Sequence, residues 1–519
     1  MTVTAKHAIQ LAQLRDDRAT RVVIDDEPIL LVKQGDAVHA FSADCPHAGA
    51  PLEEGAICNG HIICPWHKGT FDIATGNVLE PPALSGLDRY PVTISNGEVS
   101  VTPQKIPRNE DTVTFSDTPK FVVIGAGAAG AAACTALRNH GFAGQLTLIG
   151  DESHAPYDRT ALSKFVPSGE TVIDDVPPLI PAEWFEQQHV ERIEGSVVEL
   201  NVPQHRIRLA DGREFPYDAA LLASGSHPRM PPFPGHDLKH VHLLRNLQDA
   251  VALCESIEAD QPVAVIGSSF IGLEVAAALR KRGNPVTVIA PESVPFEHQF
   301  GPKLGAMFQH LHERNGVVFR LNEKVAKLAG DTRVQEVVLE SGARVAVSMV
   351  VIGVGVSPAT HFVKALPLQK DGSVLVNAGM QAAPGLYAAG DVATFPLYEN
   401  QEPVRIEHWR VAQQHGFIAA QNMCGARHRY AAVPYFWTYH YGKTFEYLGH
   451  PSDWDDIQID GDLANLHFLA FYMKAGAVVA VLACEREAAT ARLIESMQAG
   501  LSAQEALRLA TAAEAAHAG

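Results

Sequence analysis

The sequence predicts a multidomain fold: an all-β domain, two doubly wound α/β units, and a small α+β domain at the end. Three observations predict it. Residues 1 to about 102 alternate apolar and polar in short runs such as RVVIDD, PILLVKQ and YPVTISNGEVSVT, bounded by turn residues. A strand, glycine loop, helix, strand unit then occurs twice, as FVVI-GAGAAG-AAACTALRNHG-LTLIGDE and, about 140 residues later, as VAVI-GSSFIG-LEVAAALRKRG-VTVIAPE. From about Val433 the runs FEYLG, ANLHFLAFYM and AVVAVLAC read as strands, and REAATARLIESMQAG as a helical tail.

These elements set the boundaries. The all-β domain spans 1–102, and a polar, proline-containing stretch without periodicity makes 103–119 a linker. The first Rossmann-like α/β domain is interrupted, covering 120–243 and 361–432. The second is inserted at 244–360, and 433–519 forms the α+β domain.

With 519 residues the chain is too long for one core. A net charge of −18 with scattered Lys and Arg argues against nucleic acid or an anionic membrane surface as the main partner. There is no apolar span of 18 residues. Seven cysteines, odd in number and dispersed, do not read as a disulfide framework, which favours a reducing cytoplasm. A monomer or a homodimer is equally compatible with the pattern.

The stretch CPHAGAPLEEGAICNGHIICPWHKGT, from Cys45 to Thr70, holds Cys45 and His47 in one segment and Cys64 and His67 in the other. Zinc needs four tetrahedral ligands, which two thiolates and two imidazoles provide. A two-iron cluster with two thiolates on one iron and two imidazoles on the other needs the same four groups. The order C-x-H…C-x-x-H gives each loop one ligand of each kind, so each loop can touch both irons; zinc fingers keep their cysteines together. Cys58 reads as a packed thiol.

This segment resembles the Rieske ferredoxin family in CPH-x-G, CPWH-x-GT and the trailing FDIATGNVLEPPA. High-potential members carry one more cysteine in each loop, joined as a disulfide. Those places hold Ala50 and Trp66 here, so the resemblance implies a ferredoxin-type cluster in the lower part of the Rieske range, of order −150 mV.

In the first α/β unit Gly125, Gly127 and Gly130 complete the dinucleotide fingerprint, and Asp151 with Glu152 stands where a ribose carboxylate belongs. The second unit keeps Gly267 and Gly272 but has Ser269 for the middle glycine and Ala290 at the ribose position. Either Glu292 reaches the ribose or binding is weakened. No Arg lies at that strand end to hold a 2′-phosphate, so NADH is favoured over NADPH. Near the end, GLYAAGDVA reads as strand, Gly-Asp, helix, placing Asp391 beside a polyol and a phosphate. The order resembles the two-dinucleotide flavoprotein family, with FAD in the interrupted domain and NAD(P)H in the inserted one.

No CxxC or CxxxxC pair is present, which disfavours the disulfide reductases. The stretch DESHAPYDRTALSK resembles ferredoxin reductases and apoptosis-inducing factor, apart from Thr160 where Pro is common. RIEHW and VPYFWTYHYGKTFEYLG extend the likeness to the last domain. The whole chain therefore resembles the apoptosis-inducing-factor-like branch that carries an N-terminal Rieske domain. That resemblance implies roles for individual positions. Asp151 takes the FAD ribose, Arg159 and Lys164 contact the flavin side, and Asp391 holds the ribityl chain. Lys164 and Glu274 pair near flavin N5, and Phe270 lies on the nicotinamide side. Glu407, His408 and Trp437 line the flavin or nicotinamide pocket. Lys164, Glu274 and Trp437 are the candidate catalytic residues.

The expected activity is an NAD(P)H-dependent flavoprotein oxidoreductase. Electrons would pass from NADH through FAD to the fused cluster, and from exposed His47 and His67 to a separate protein or small oxidant. The alternative is an NADH redox sensor or assembly protein that holds a flavin–NAD charge-transfer complex and turns over slowly.

Overall fold

A computed structural model describes residues 4–107, 115–398 and 402–518, with side chains described to residue 513. Part of the expected linker, 108–114, lies outside the described residues.

The first domain is built of antiparallel strands. One sheet runs in the order Thr20–Ile24, Glu27–Gln34, Ala37–Ser42, Arg89–Tyr90, and another in the order Ala56–Cys58, His61–Ile63, Thr70–Asp72, Val78–Glu80. In Glu27–Gln34 the run Ile29 to Val32 is buried on both sides. Leu30 and Val32 face a core with Phe41, Ile62 and Phe71, while Ile29 and Leu31 face one with Val99 and Val101. Cys45 and Cys64 belong to the first of these cores, in the loops around the small sheet.

The first α/β domain carries a six-stranded sheet in the order Val190–Glu194, Gln145–Gly150, Lys120–Ile124, Ala219–Leu222, Leu386–Ala388, Gln381–Ala383. Strand Lys120–Ile124 pairs in parallel on both sides. Its Phe-Val-Val-Ile run is wholly buried, as a strand covered on both faces requires. Helix Ala128–Asn139 is rich in alanine, which lets helix Trp409–Met423 approach closely. A Cβ on Gly416 would lie 2.1 Å from the Ala129 carbonyl oxygen, so no larger residue fits there.

The second α/β domain has a five-stranded parallel sheet in the order Val241–His242, Met349–Ile352, Val263–Ile266, Val286–Ile289, Val317–Arg320. This corrects the expected boundary at 243/244, because Val241–His242 already belongs to the second sheet. The chain crosses between the domains at a two-stranded pair, Ser226–Pro228 against Val356–Pro358. A two-residue strand carries no period that a sequence reading can detect.

The last domain is one antiparallel sheet of five strands with helices Glu487–Met497 and Ala503–Ala518 on one side. Strand alternation divides its faces. Phe468, Ala470 and Tyr472 join Phe296, Phe300 and Phe308 of the second α/β domain, whereas Leu469, Phe471 and Met473 pack under the two helices.

Candidate functional site

The two glycine loops are built for close backbone contact. Gly125 has φ 111°, and a Cβ there would meet the Ala223 carbonyl oxygen at 2.1 Å. A Cβ on Gly130 would meet the Gly125 oxygen at 1.9 Å, so this glycine seats the helix on the strand. A Cβ on Gly127, by contrast, meets nothing within 4 Å and faces open space at the start of helix Ala128–Asn139. The second loop repeats the first two constraints at Gly267 and Gly272. Ser269 caps helix Phe270–Arg282 by position alone, without a side-chain hydrogen bond.

A cavity of about 390 Å³ opens between the domains. It brings together Gly125, Gly127, Asp151, Arg159, Lys164, Phe270, Glu274, Asp391, Glu407, His408 and Trp437, residues up to 312 positions apart in the chain. Gly130, Gly267, Gly272 and Glu292 are not on its wall. Glu292 lies over the second glycine loop, where it accepts a hydrogen bond from Ser268 Oγ at 3.3 Å.

Asp151 directly follows strand Gln145–Gly150. Beside it, Glu152 ion-pairs with Arg159 at 2.5 Å and accepts from the Tyr157 hydroxyl at 2.6 Å, which fixes the arginine at the rim. Asp391 is buried and accepts from Ser226 Oγ at 2.6 Å and from the Arg245 guanidinium at 3.0 Å. The helix expected directly after Asp391 is only a single 3₁₀ turn, Gly390–Val392, followed by strand; the next helix starts at Trp409. Glu407 pairs with Arg405 at 2.5 Å. The His408 ring lies against Phe436, tilted, with centroids 4.3 Å apart, and burial lowers its pKa to about 3. Its Nδ1 and the neighbouring Trp409 Nε1 are buried polar atoms without a protein partner on the cavity wall. A ligand bearing hydrogen-bonding groups satisfies such atoms. With the open cradle at Gly127, the donor set fits a dinucleotide.

The Lys164 ammonium lies 3.1 Å from Glu274 Oε2 and donates to the Thr160 carbonyl oxygen at 3.0 Å. Both residues are under a tenth exposed. Glu274 also accepts from Ser163 Oγ at 2.5 Å and from Thr438 Oγ1 at 2.7 Å. A buried ion pair persists when its remaining lone pairs are satisfied in this way.

In the first domain the four candidate ligands come as two like pairs. The Cys45 and Cys64 thiols share a hydrogen bond, which lowers the pKa of Cys64, helped by backbone N–H donors from Trp66 and His67, and raises that of Cys45. Backbone N–H groups of His47 and Ala48 point at Cys45 in the same manner. His47 Nδ1 and His67 Nδ1 face each other at 3.1 Å. Burial lowers the pKa of both imidazoles, which keeps them in the neutral form that ligates metal. Among the described residues no three Cys, His, Asp or Glu side chains converge as a mononuclear site would need. Two sulfurs and two nitrogens in separate pairs fit a two-iron cluster. Cys58 stands apart, packed near Ala491 of the last domain.

These ligand loops face solvent only in part: Pro46, Ala48 and Trp66 are exposed, whereas His47 and His67, expected to be exposed, are half-buried. The His67 ring lies against Trp437, centroids 4.3 Å apart. Around that contact the first domain is locked to the rest. Lys68 is fully buried and pairs with Glu446 at 2.7 Å, and Tyr435 donates to the Trp66 carbonyl oxygen at 2.7 Å. Arg410, 1% exposed, donates to the carbonyl oxygens of Pro81 and Lys68, each at 2.9 Å, and to Glu80 at 2.6 Å. Sequence reasoning missed Lys68, Arg410, Tyr435 and Glu446. Lys68 within the second ligand loop was the one available signal, since a cation there needs a partner.

Comparison with known proteins agrees with this architecture. Residues 5–91 match the Rieske 2Fe-2S domain, residues 119–416 the pyridine nucleotide-disulphide oxidoreductase family, and residues 435–515 the reductase C-terminal domain. The chain is similar to human apoptosis-inducing factor 3, with 34% identity over 91% of this chain and 80% of the relative. It also resembles the biphenyl dioxygenase system ferredoxin–NAD(+) reductase component of Paraburkholderia xenovorans, 33% identical over 66% of this chain and 84% of that one. Among solved structures it is similar to the covalent putidaredoxin reductase–putidaredoxin complex, with TM-score 0.68, 30% identity, and coverage of 72% of this chain and 91% of that one. The chain belongs to the pyridine nucleotide-disulphide oxidoreductases, in their apoptosis-inducing-factor-like, ferredoxin-reductase-type branch with a fused Rieske domain, and is an oxidoreductase that uses FAD, a Rieske 2Fe–2S cluster and NADH.

Proposed function

We propose that the chain carries electrons from NADH, by way of FAD, to its own Rieske cluster and on to an acceptor outside the chain. The contact between His67 and Trp437 carries this reading, because it joins a cluster ligand to the wall of the flavin cavity. FAD accepts a hydride and gives up electrons singly, which matches a one-electron cluster.

The chain's own residues prepare that chemistry. Lys164 sets a positive charge at the cavity wall, where it favours an electron-rich ring, and Glu274 offsets its burial. Phe270, with Phe436 and Phe296 behind it, offers an apolar wall for the nicotinamide side. Glu292, beside the second glycine loop, is the acceptor for a ribose hydroxyl. Fusion raises the effective concentration of the cluster to the order of mM for a short tether, and the buried pairs at Lys68 and Arg410 favour the docked arrangement further.

No helix among the described residues is long and apolar enough to cross a membrane. The acceptor is a separate protein or a small oxidant. Steady-state assay with cytochrome c tests the activity. Rapid NADH-dependent reduction supports it; a persistent long-wavelength flavin–NAD band with slow reoxidation favours the sensor instead.

A further inference from the structure

Two peptide groups in the second ligand loop aim their N–H bonds at the same cysteine sulfur. The N–H groups of Trp66 and His67 both donate to Cys64 Sγ. In a planar trans peptide the carbonyl points the opposite way from the N–H. The Pro65 carbonyl is thus the far end of the Trp66 N–H, and the Trp66 carbonyl the far end of the His67 N–H. Those two carbonyl oxygens are where buried donors take hold.

The Lys68 ammonium donates to the Pro65 carbonyl oxygen, and both residues are buried. Glu446 of the C-terminal sheet holds that ammonium at 2.7 Å, and the Glu487 carbonyl oxygen lies 3.4 Å from it. The Tyr435 hydroxyl, from the first strand of the same sheet, donates to the Trp66 carbonyl oxygen at 2.7 Å. A phenol has one hydrogen to give. Glu446 Oε1 is also within its reach, at 2.8 Å, but Lys68 already supplies that oxygen, so the hydrogen serves Trp66. In the first ligand loop, by contrast, Pro46 and Ala48 are exposed. Hydrogen bonds in a chain polarise one another, and more so out of water. A donor on a carbonyl oxygen therefore strengthens the bond that the same peptide makes through its N–H. The bond from the ammonium is charge-assisted, which makes it the stronger of the two.

We propose that Tyr435, and Lys68 held in place by Glu446, raise the reduction potential of the cluster through the two peptides that donate to Cys64. They are positioning residues, acting through the Pro65–Trp66 and Trp66–His67 peptide groups. One-electron reduction adds negative charge that the ligating sulfurs share. Stronger N–H donors at Cys64 favour that reduced form, because hydrogen bonds to the sulfurs and the partners behind the ligands tune the metal centre. The docked C-terminal domain thereby makes the cluster a better electron acceptor than the ligand loops alone would make it. No loop motif records these groups, since Tyr435 is 369 positions from Trp66 and Glu446 is 378 from Lys68. On the electron route proposed above, the raised potential draws electrons from the flavin toward the cluster. The tuning itself needs only the cluster and the docked arrangement.

The test is an anaerobic equilibrium titration of the full chain, loaded with FAD and cluster, with dithionite and redox mediators. The paramagnetic resonance of the reduced cluster is the readout. Tyr435→Phe should lower the ratio of reduced to oxidised cluster severalfold at a fixed potential. Tyr435→fluorotyrosine, nearly the same shape with a stronger hydroxyl donor, should raise it above wild type. A role in packing alone would not produce that order. Lys68→Met with Glu446→Leu removes the ammonium and keeps the interface filled. It should lower the ratio about tenfold, which is about 59 mV for a one-electron couple. If Tyr435→Phe and the double variant both titrate with wild type, the interface does not set the potential. A fluorotyrosine chain that shifts downward also overturns the proposal. Dithionite supplies the electrons, so a failed NADH route leaves the titrations readable, and unshifted titrations leave that route standing.

Discussion

His67 and Trp437 lie in contact, ring centroids 4.3 Å apart and planes inclined at 48°. One comes from the Rieske domain and the other from the first strand of the C-terminal sheet, at the edge of the flavin cavity. Trp437→Leu should therefore slow cluster reduction severalfold and leave the FAD content unchanged. Rapid mixing with NADH under anaerobic conditions, read at flavin and cluster wavelengths, checks this. Equal cluster rates in variant and wild type would remove the indole from the route.

Lys68 and Glu446 hold the Rieske domain against the C-terminal domain through a pair that is almost wholly out of water. Lys68→Met strands the carboxylate, which costs about 3–5 kcal/mol for a buried pair broken on one side. The Thr490 hydroxyl still donates to Glu446, which favours the lower end of that range. Lys68→Met with Glu446→Leu should recover most of the loss. Chemical unfolding midpoints for the three chains decide the matter.

The same pair has a pH signature. Burial holds the Glu446 carboxyl above its ordinary range, against the pull of Lys68. A carboxyl raised on folding binds more protons in the folded state, so its ionisation weakens the fold as pH climbs through the raised value. Without Lys68 the pKa rises further. The Lys68→Met defect should thus be smaller at pH 5 than at pH 8, as Glu446 becomes neutral. A defect that grows toward low pH would contradict this.

His67→Ala removes one of the four ligands without touching the dinucleotide loops. The purified variant should lack the cluster signal in electron paramagnetic resonance after dithionite and retain FAD. It should still pass electrons from NADH to a small dye but lose transfer to acceptors served by the cluster.

Glu292→Ala tests the nicotinamide half. Loss of one ribose hydrogen bond should raise the Kd for NADH about tenfold, equivalent to about 1.4 kcal/mol, and narrow its preference over NADPH. Titration of flavin fluorescence with each nucleotide measures both.

The motifs that a sequence displays locally were the legible ones. Gly125, Gly127 and Gly130, and the pairs Cys45/His47 and Cys64/His67, lie within a few residues of one another, so short-range geometry restricts their spacing. The sheet types followed from alternation in runs such as YPVTISNGEVSVT and from unbroken apolar runs such as FVVI. What brings the domains together was not legible. Lys68 and Glu446 are 378 positions apart, and Arg410 reaches Glu80 across 330; each alone reads as an ordinary surface charge. GLYAAGDVA carried a strand-to-helix pattern, yet Asp391 sits in one 3₁₀ turn because the chain re-enters strand at Ala393.

The central claim is that electrons reach the cluster within one chain. It is tested most directly by anaerobic mixing of the full chain with NADH over a wide range of protein concentration, with flavin absorbance and cluster paramagnetic resonance both recorded. The account predicts that the flavin bleaches first, that the cluster signal follows, and that the second rate does not change with protein concentration. A cluster rate proportional to protein concentration, or a bleached flavin beside a cluster that stays oxidised, would contradict it.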